Sequence, residues 1–483
     1  MEMRMNWEQL LSTETQVKRE VEPEDFAKYP MDDLEKDYKA IISSAAFRRL
    51  QDKTQVFPLD KSDFVRTRLT HSLEVSTIAR QLGIMITRNA TGYLPDDFKN
   101  KDGKDKLVEK IPEVLSCAGL LHDLGNPPFG HFGEVVIGDW FKNEFQKEEF
   151  CYKKIAIREL LTEQMQSDLK NFEGNAQALR ILSKIRNKGK SHEINLTTGV
   201  IGALIKYPTD SLHVTNKKDP DIRRHKLGYY FAEQETFEKV SKETGTWIDE
   251  KNVARHPLTF LMEAADDIAY STADLEDALK KKMFSLKEFI AYFKGNLEDD
   301  EKAQLLIKDL ERRLENVQDE ESEMIAFQNW MDYARGWFMY CVTYSFSRNY
   351  KSIMNGEFQR ELMQGTFHEK SMKIFKNAMV EFVYEQPEIV KLELSAKKII
   401  STLLDDFIYA VIYMDETEEE YKNHQFQKKL CSLIPDNLKA DYEKAKTNDE
   451  GYNLYLRMLM ITDFISGMTD SYAKNLYQEL NAY

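Results

Sequence analysis

Residues 120–134 hold the side chains best suited to chemistry. The adjacent pair His122 and Asp123 ends a mostly apolar run, and a second histidine, His131, precedes Glu134 by three residues. Glycines and prolines between the two pairs interrupt a helix, so each pair should lie at a helix end. Imidazole and carboxylate together suit a catalytic Fe, Mn, Mg or Zn ion better than a structural zinc site. The segment therefore predicts a metal site beside an acid/base pair.

Two further segments carry candidate ligands for the same ion. His71 follows Arg68 by three residues at the start of a predicted helix, so their side chains should share one face. Asp266 and Asp267 lie in a largely apolar stretch, where an unpaired carboxylate would be costly without a cation. Along the chain, the candidate ligands therefore occur in the order His, His-Asp, Asp.

That order resembles the HD phosphohydrolases, and the flanking sequence is more specific still. Over nearly its whole length, the chain resembles the bacterial dGTP triphosphohydrolases. The blocks that carry this resemblance are residues 46–51, 53–59, 66–72, 122–134, 172–177, 206–207, 226–230, 263–277 and 466–470.

The resemblance implies a role for each candidate site residue. The metal ligands would be His71, His122, Asp123 and Asp266. A helical stripe through Asp266, Tyr270 and Asp274 also favours Asp266, since Asp267 is turned roughly 100° away and should make a structural contact. His131 would act near the attacking water or the leaving oxygen, and Glu134 would orient it. The implied substrate-binding residues are Arg68, Lys206, Tyr207 and Lys226 for phosphates, and Gln55, Tyr270, Asp274, Tyr384 and Glu393 for sugar and base.

The implied reaction is metal-dependent hydrolysis of dGTP to deoxyguanosine and tripolyphosphate, with Mn, Mg or Fe as the divalent ion. No GxxxxGK loop is present, so side chains must hold the phosphates. Similar proteins are oligomers, commonly hexamers, so a homo-oligomer is expected.

Two alternatives remain open at this point. One is a broader dNTP triphosphohydrolase activated by a bound nucleotide, because residues 431–436 are mostly uncharged where the family often has basic residues. The other is a regulator that binds single-stranded nucleic acid such as single-stranded DNA, suggested by the basic runs at residues 180–190 and 217–226. The net charge of -15 weighs against the second alternative.

Helices must position these residues, because helical periodicity dominates the chain. We predict helices over Leu73 to Ile86, Val114 to Leu121, Leu160 to Gln166, Phe260 to Leu279, Leu305 to Val317, Ile389 to Tyr413 and Leu454 to Leu480, with one more starting near Phe132. The only plausible strands are Val56 to Phe57 and Tyr229 to Phe231. The fold class is all-α, with an HD-domain helical core, additional helical insertions and C-terminal helices.

The domain organisation follows from the absence of a clear linker. Residues 1–483 should form one large helical unit, with an HD core at about 40–280 and a C-terminal part at about 281–483 that completes the nucleotide pocket. No apolar run is long enough to span a membrane, and the charged start lacks a signal peptide's apolar core, so a cytoplasmic protein is expected. The four scattered cysteines should be reduced thiols.

Overall fold

The computed structural model describes residues 4–16, 18–19, 31–60, 62–94, 106–184, 194–216, 218–249, 252–315, 317–416 and 424–482. α-Helices dominate these residues, and the named strands form two short antiparallel hairpins. The all-α prediction is confirmed. No helix in these ranges is both long enough and apolar enough to cross a membrane. The four cysteines are free thiols.

The α-helices are numbered in chain order. They are α1 (Trp7–Leu10), α2 (Asp33–Ser43), α3 (Ala45–Arg49), α4 (Arg68–Thr87), α5 (Lys106–Glu109), α6 (Ile111–Leu121), α7 (Gly130–Glu144), α8 (Ile157–Leu160), α9 (Glu163–Lys170), α10 (Gly174–Ser183), α11 (Thr198–Leu204), α12 (Gln234–Glu243), α13 (Pro257–Lys280), α14 (Leu286–Gly295), α15 (Glu301–Leu314), α16 (Glu320–Arg348), α17 (Tyr350–Met354), α18 (Glu369–Met379), α19 (Pro387–Val411), α20 (Gln425–Leu433), α21 (Asp436–Ala445), α22 (Glu450–Ser466) and α23 (Asp470–Leu480).

Short 3₁₀-helices occur at Leu50–Asp52, Ile222–Arg224 and Phe231–Glu233, and a π-helical turn occurs at Val380–Tyr384.

Two predicted helices have different bounds in the structure. The single helix predicted over Leu454 to Leu480 is interrupted, because the side chain of Thr469 caps a new helix by accepting from the backbone N–H of Tyr472. The helix predicted over Leu160 to Gln166 instead starts after Thr162, since Leu161 is extended and Thr162 caps α9.

Both predicted strands are wrong. Val56 and Phe57 lie in a bend after an isolated bridge, and Tyr229 stacks on Phe237 of α12 with ring centroids 4.0 Å apart. Phe57 and Tyr230 are buried, Val56 and Tyr229 are half-buried and Phe231 is exposed, and none of them has a partner strand. The observed hairpins pair β1 (Cys151–Tyr152) with β2 (Ile155–Ala156), and β3 (Trp247–Asp249) with β4 (Asn252–Val253).

Close contact between α4 and α6 brings two predicted metal-binding segments together. A Cβ at Gly119 of α6 would lie 2.7 Å from the Cα of Ser76 on α4, and one at Gly83 would lie 2.8 Å from the Cα of Pro112. Side chains at these glycines would push the helices apart. α13 also packs on α4 and α6, so the three helices share one core.

The second hydrophobic cluster joins α7 and α9 to the C-terminal helices α19 and α22. Nε1 of Trp140 on α7 donates a 2.8 Å hydrogen bond to Asp405 on α19. The first cluster, conversely, extends from α4 through α16 to α18. Packing is therefore continuous across residue 280, where the sequence-based boundary between HD core and C-terminal part was drawn.

Candidate active site

α4 supplies Arg68 and His71 from its first turn. Both side chains are buried and face the C-terminal end of α6, as the three-residue spacing predicted. Nη1 of Arg68 lies 2.6 Å from Oδ2 of Asp123. The guanidinium therefore neutralises one of the candidate metal ligands.

His122 ends α6 with one ring nitrogen already used. Its Nδ1 lies 2.8 Å from the carbonyl oxygen of Gly119, which can only accept, so Nδ1 carries the hydrogen. In the neutral imidazole Nε2 then carries the lone pair, and this atom is buried without a hydrogen-bond partner among the described residues. A buried acceptor of this kind calls for a ligand, and a metal ion satisfies it.

Four candidate ligands converge on this lone pair. Nε2 of His71 lies 3.2 Å from Oδ1 of Asp266. Nε2 of His122 lies 3.5 Å from that same oxygen and 3.5 Å from Oδ2 of Asp123. Metal–ligand bonds of about 2.0–2.2 Å put neighbouring ligand atoms roughly 3–3.5 Å apart. His71, His122 and Asp123 lie close enough together to hold one divalent ion, and Asp266 contacts both imidazoles.

Neighbouring charges keep both carboxylates of the cluster ionised. Burial alone would raise the pKa of Asp266, but His122, His71 and Lys206 lower it well below its usual value. Burial also opposes ionisation of Asp123, yet Arg68 and the two histidines lower the pKa of Asp123. In turn, the carboxylates overcome burial and raise the pKa of His122 to about 9. Both carboxylates are thus charged and able to bind a cation.

Lys206 faces the cluster from the segment after α11. Its Nζ lies 3.5 Å from Glu263 and 3.8 Å from Oδ2 of Asp266. Arg255 binds Glu263 at 2.6 Å and donates through Nε to the backbone oxygen of Lys206 at 2.7 Å. The guanidinium carbon of Arg255 also lies 5.7 Å from the ring centroid of Tyr207. Arg255 therefore supports both Lys206 and Tyr207.

His131 and Glu134 form the predicted pair at the start of α7. Nδ1 of His131 lies 2.6 Å from Oε2 of Glu134, whose other oxygen accepts from the backbone N–H of Gly174 at 2.8 Å. Glu134 is buried, whereas the side chain of His131 is 72% exposed. Burial opposes ionisation of Glu134, but His131 and Lys226 lower the pKa of Glu134. A charged, fixed carboxylate therefore orients an accessible imidazole.

Lys226 lies on the same side of the site as this pair. Its Nζ is 2.8 Å from Glu173, and burial together with the nearby Glu134 raises the pKa of Glu173. A cavity of about 220 Å³ is lined by His131, Glu134 and Lys226. An anion in this cavity would meet an ammonium group and an imidazole.

Some of the candidate sugar-binding and base-binding residues lie close together in the structure. Asp274 is buried, its Oδ2 has no hydrogen-bond partner among the described residues, and burial raises its pKa well above the usual value. Oε1 of Gln55 is likewise buried without a partner. Tyr384 lies near both Asp274 and Tyr270. These residues leave unused polar atoms for a ligand.

Glu393 does not join this group. It is half-buried on α19, and within the described ranges it makes no hydrogen bond or ion pair. The structure brings no partner to it, so its role stays a prediction.

Four further residues support the site, although we assigned them no role from the sequence. Nζ of Lys53 donates to the backbone oxygens of Asn126 and Ser466 at 2.6 Å each. Asp470 accepts from the backbone N–H groups of Phe129 and Thr54 at 2.9 and 3.0 Å.

Gly174 and Glu173 complete this set. A Cβ at Gly174 would lie 2.6 Å from Oε1 of Glu134. All four residues lie in blocks that resemble the family, and that was their only signal in the sequence.

The two basic runs are largely engaged where the structure describes them. Arg180 binds Asp463 and Glu233, and Lys184 binds Asp463. Arg223 is paired with Asp221. Residues 185–193 and 217 lie outside the described residues, so those parts of the runs stay untested.

Two family models match parts of this chain. Residues 68–251 match the HD domain, and residues 366–479 match the phosphohydrolase-associated domain. A deoxyguanosinetriphosphate triphosphohydrolase-like protein of Listeria monocytogenes is 43% identical over 449 residues, which is 93% of each chain. A deoxyguanosinetriphosphate triphosphohydrolase of Yersinia pseudotuberculosis is 32% identical over 496 aligned residues, which cover 93% of this chain and 94% of that protein.

The chain belongs to the deoxyguanosinetriphosphate triphosphohydrolase family. Membership in this family identifies the protein as a hydrolase with an HD domain, and the cluster around His122 as a candidate metal site. The HD match begins at Arg68, the first residue of α4, and includes His122, Asp123 and His131. Asp266 lies beyond its end and reaches the cluster through the packing of α13 on α4.

Proposed function

We propose that the protein hydrolyses dGTP to deoxyguanosine and tripolyphosphate in a metal-dependent reaction. The observation that carries this proposal is the convergence of His71, His122, Asp123 and Asp266. Family relatives of this chain are named for dGTP triphosphohydrolysis, which supports the choice of substrate. His71, His122, Asp123 and Asp266 would hold one divalent ion, with Mn, Mg and Fe as the candidates.

When bound, such an ion polarises a phosphoryl oxygen and makes water more acidic. The proton chemistry at the leaving group falls to His131. Because Nδ1 faces Glu134, Nε2 is free to donate a proton to the 5′ oxygen as its bond to the α-phosphorus breaks. The oxygen of the attacking water bonds to the α-phosphorus, and a proton from that water restores the one that His131 gave up.

Cationic side chains would bind the triphosphate. Arg68, Lys206 and Lys226 each reside in an ion pair, with Asp123, Glu263 and Glu173 respectively. These pairs hold the cations in place before substrate arrives, so little reorganisation is needed as charge develops on the phosphates. Tyr207 would add a hydroxyl beside Lys206.

The deoxynucleoside would occupy the space next to α13. Asp274 would accept from the 3′ hydroxyl, Tyr270 would pack under the sugar, and Gln55 would offer an amide to sugar or base. Tyr384 and Glu393 would contact guanine. The unpartnered oxygens of Asp274 and Gln55 support this placement.

Product analysis tests the proposal directly. Metal-loaded protein is incubated with dGTP and the products are separated by chromatography. We expect deoxyguanosine and tripolyphosphate, with at least a roughly 100-fold loss in Asp123→Ala because a metal ligand is removed. Asp436→Ala, whose side chain is 99% exposed, is the matched control and should keep full activity. Release of dGMP or dGDP would contradict the proposal.

A second candidate is a broader dNTP triphosphohydrolase activated by a bound nucleotide. The sequence favours it, because residues 431–436 are mostly uncharged where the family it resembles often has basic residues. Rates on the four dNTPs, singly and in mixtures, separate the two. Hydrolysis of dGTP alone at full rate supports the first candidate, whereas hydrolysis of several dNTPs only in mixtures supports the second.

A further inference from the structure

A large cavity lies between α18 and the segments at residues 219–225 and 357–364. It has a volume of about 730 Å³, and its wall includes Arg360, Glu361 and, from α18, Lys373 and Lys376. Lys376 is one of several lining residues that contact α13. Its Nζ lies 2.9 Å from Asp267 and 5.5 Å from the ring centroid of Tyr270. The cavity therefore meets the candidate active site at this ammonium group.

Lys376 shares its electrostatic surroundings with Lys206. Burial disfavours the ammonium, but Asp267, Glu361 and Asp266 outweigh it and raise the pKa of Lys376. Asp266 and Asp267 also contribute to raising the pKa of Lys206. Two ammonium groups therefore flank the carboxylate pair of α13, one of them beside the metal cluster and the other at the large cavity.

Asp267 and Lys376 interact as an ion pair. The Asp267 side chain is turned away from the metal cluster, and among the described residues its ion-pair partner is Lys376. Lys376 retains 28% of its side-chain exposure. An ammonium group that is half-buried, held by one carboxylate and open to a cavity can exchange that carboxylate for an anionic ligand.

We propose that Lys376 binds the outer phosphates of the substrate's triphosphate, releasing Asp267 as it does so. This inference rests on the proposed function, because it extends the triphosphate site from Lys206 toward the large cavity. Asp267 then acts as a placeholder that neutralises Lys376 before the substrate binds. The large cavity is the side from which the triphosphate end enters or leaves.

Binding of inorganic tripolyphosphate tests this role without catalysis. Calorimetric titration of the metal-loaded wild type is compared with Lys376→Ala, Lys376→Arg and the control Lys370→Ala. Lys370 lies on the same helix, forms a 2.6 Å ion pair with Glu298 and has 26% side-chain exposure, but it does not line the cavity. We expect roughly tenfold weaker binding for Lys376→Ala, about 1.4 kcal/mol, with partial recovery in Lys376→Arg and less than a twofold change for Lys370→Ala.

Asp267→Asn gives a second test with the opposite sign. Removing the competing carboxylate should strengthen tripolyphosphate binding several-fold, whereas a purely structural ion pair predicts weaker binding. Metal content measured on the same samples confirms that Asp266 is unaffected. Should Lys376→Ala fold poorly because Asp267 is left unpaired, the double variant Asp267→Asn/Lys376→Ala removes both charges and should still bind tripolyphosphate weakly.

Two results would overturn the inference. One is unchanged tripolyphosphate affinity in Lys376→Ala combined with weaker deoxyguanosine binding, which would mean that Lys376 only supports Tyr270. The other is weaker tripolyphosphate binding in Asp267→Asn. The proposed function is judged separately, since it fails when wild-type protein does not convert dGTP to deoxyguanosine and tripolyphosphate.

Discussion

A histidine bound to a carboxylate three residues away occurs at two places in the described residues, with different surroundings. His131 is bound to Glu134, and His213 is bound to Asp210 with Nδ1 2.8 Å from the carboxylate. The two histidines have nearly equal side-chain exposure, 72% and 71%. Both carboxylates also accept from backbone N–H groups, but only Glu134 of the two is buried, so it is the more firmly held.

This contrast provides a prediction at the residue scale. His131→Ala should lower kcat by about 10²–10⁴-fold, because proton transfer to the leaving oxygen is lost. Metal content should be unchanged, since His131 is not among the converging ligands. The measurements are steady-state dGTP kinetics and metal analysis. His213→Ala is the matched control, and a loss of kcat as large as that of His131→Ala would contradict the assignment.

At the scale of elements, the distance between α4 and α6 sets the spacing of the metal ligands. Gly119 lies one turn before His122, and its backbone touches the backbone of Ser76. A helix interior disfavours glycine by roughly 0.5–1 kcal/mol relative to alanine. The close approach of the two helices explains why glycine is nonetheless present there.

Gly119→Ala should therefore destabilise the protein, against the helix-propensity trend. We expect a loss of about 1–3 kcal/mol in the free energy of unfolding, because the new Cβ would meet the Cα of Ser76 at 2.7 Å. Gly336→Ala on α16 is the control, since a Cβ there meets nothing within 4 Å and should stabilise slightly. Urea unfolding measures both. Equal effects would mean that the helix contact is not tight.

α13 depends on an unusual N-cap. Nδ1 of His256 accepts from the backbone N–H of Leu258 at 3.1 Å, and Nε2 donates to the backbone oxygen of Leu10 at 2.9 Å. Burial lowers the pKa of His256 to about 4. A neutral imidazole thus caps the helix that carries Asp266, Tyr270 and Asp274.

The N-cap leads to a pH prediction. The unfolded chain binds a proton at His256 near pH 6.5, whereas the folded chain does so only near pH 4. The stabilisation from the neutral form is thus complete above about pH 6.5 and is lost as pH falls toward 4, a change of roughly 3 kcal/mol. His256→Gln should flatten this dependence relative to wild type. Chemical unfolding between pH 4.5 and 8 measures the difference, and parallel curves would contradict it.

At the scale of the whole molecule, the C-terminal helices hold the active-site loop. Asp470 at the start of α23 binds the backbone of Thr54 and Phe129, and Lys53 joins Asn126 to Ser466. Phe129 has a left-handed backbone with φ 62°, which side chains adopt rarely. Contacts from more than 300 residues away along the chain keep this loop in place.

Asp470→Ala should loosen the loop without removing a catalytic group. Two backbone N–H groups would lose a buried acceptor, at about 1–3 kcal/mol each. Hydrogen exchange at the amides of Thr54 and Phe129 should become faster, and kcat should fall while metal binding persists. The exposed Asp299→Ala is the control. Unchanged exchange at both amides would show that the loop is held by other contacts.

Much of the candidate site could be predicted from the sequence because chemistry and local spacing carried it. His122 and Asp123 are adjacent, His131 and Glu134 are three apart, and Asp266, Tyr270 and Asp274 follow one helix stripe. Resemblance to a family supplied their roles. Lys376 and Arg255 could not be found in this way, because their partners Asp267 and Lys206 lie far along the chain and helix packing alone brings them together.

The sequence by itself determined the helical fold class, the ligand types and the local pairs, since each depends on side-chain chemistry within a turn or two. The tertiary structure decided which ring nitrogen of His122 is free and which cations are already paired. The physical reason is that burial and long-range contacts set hydrogen-bond partners and charge states, and neither is encoded in local spacing.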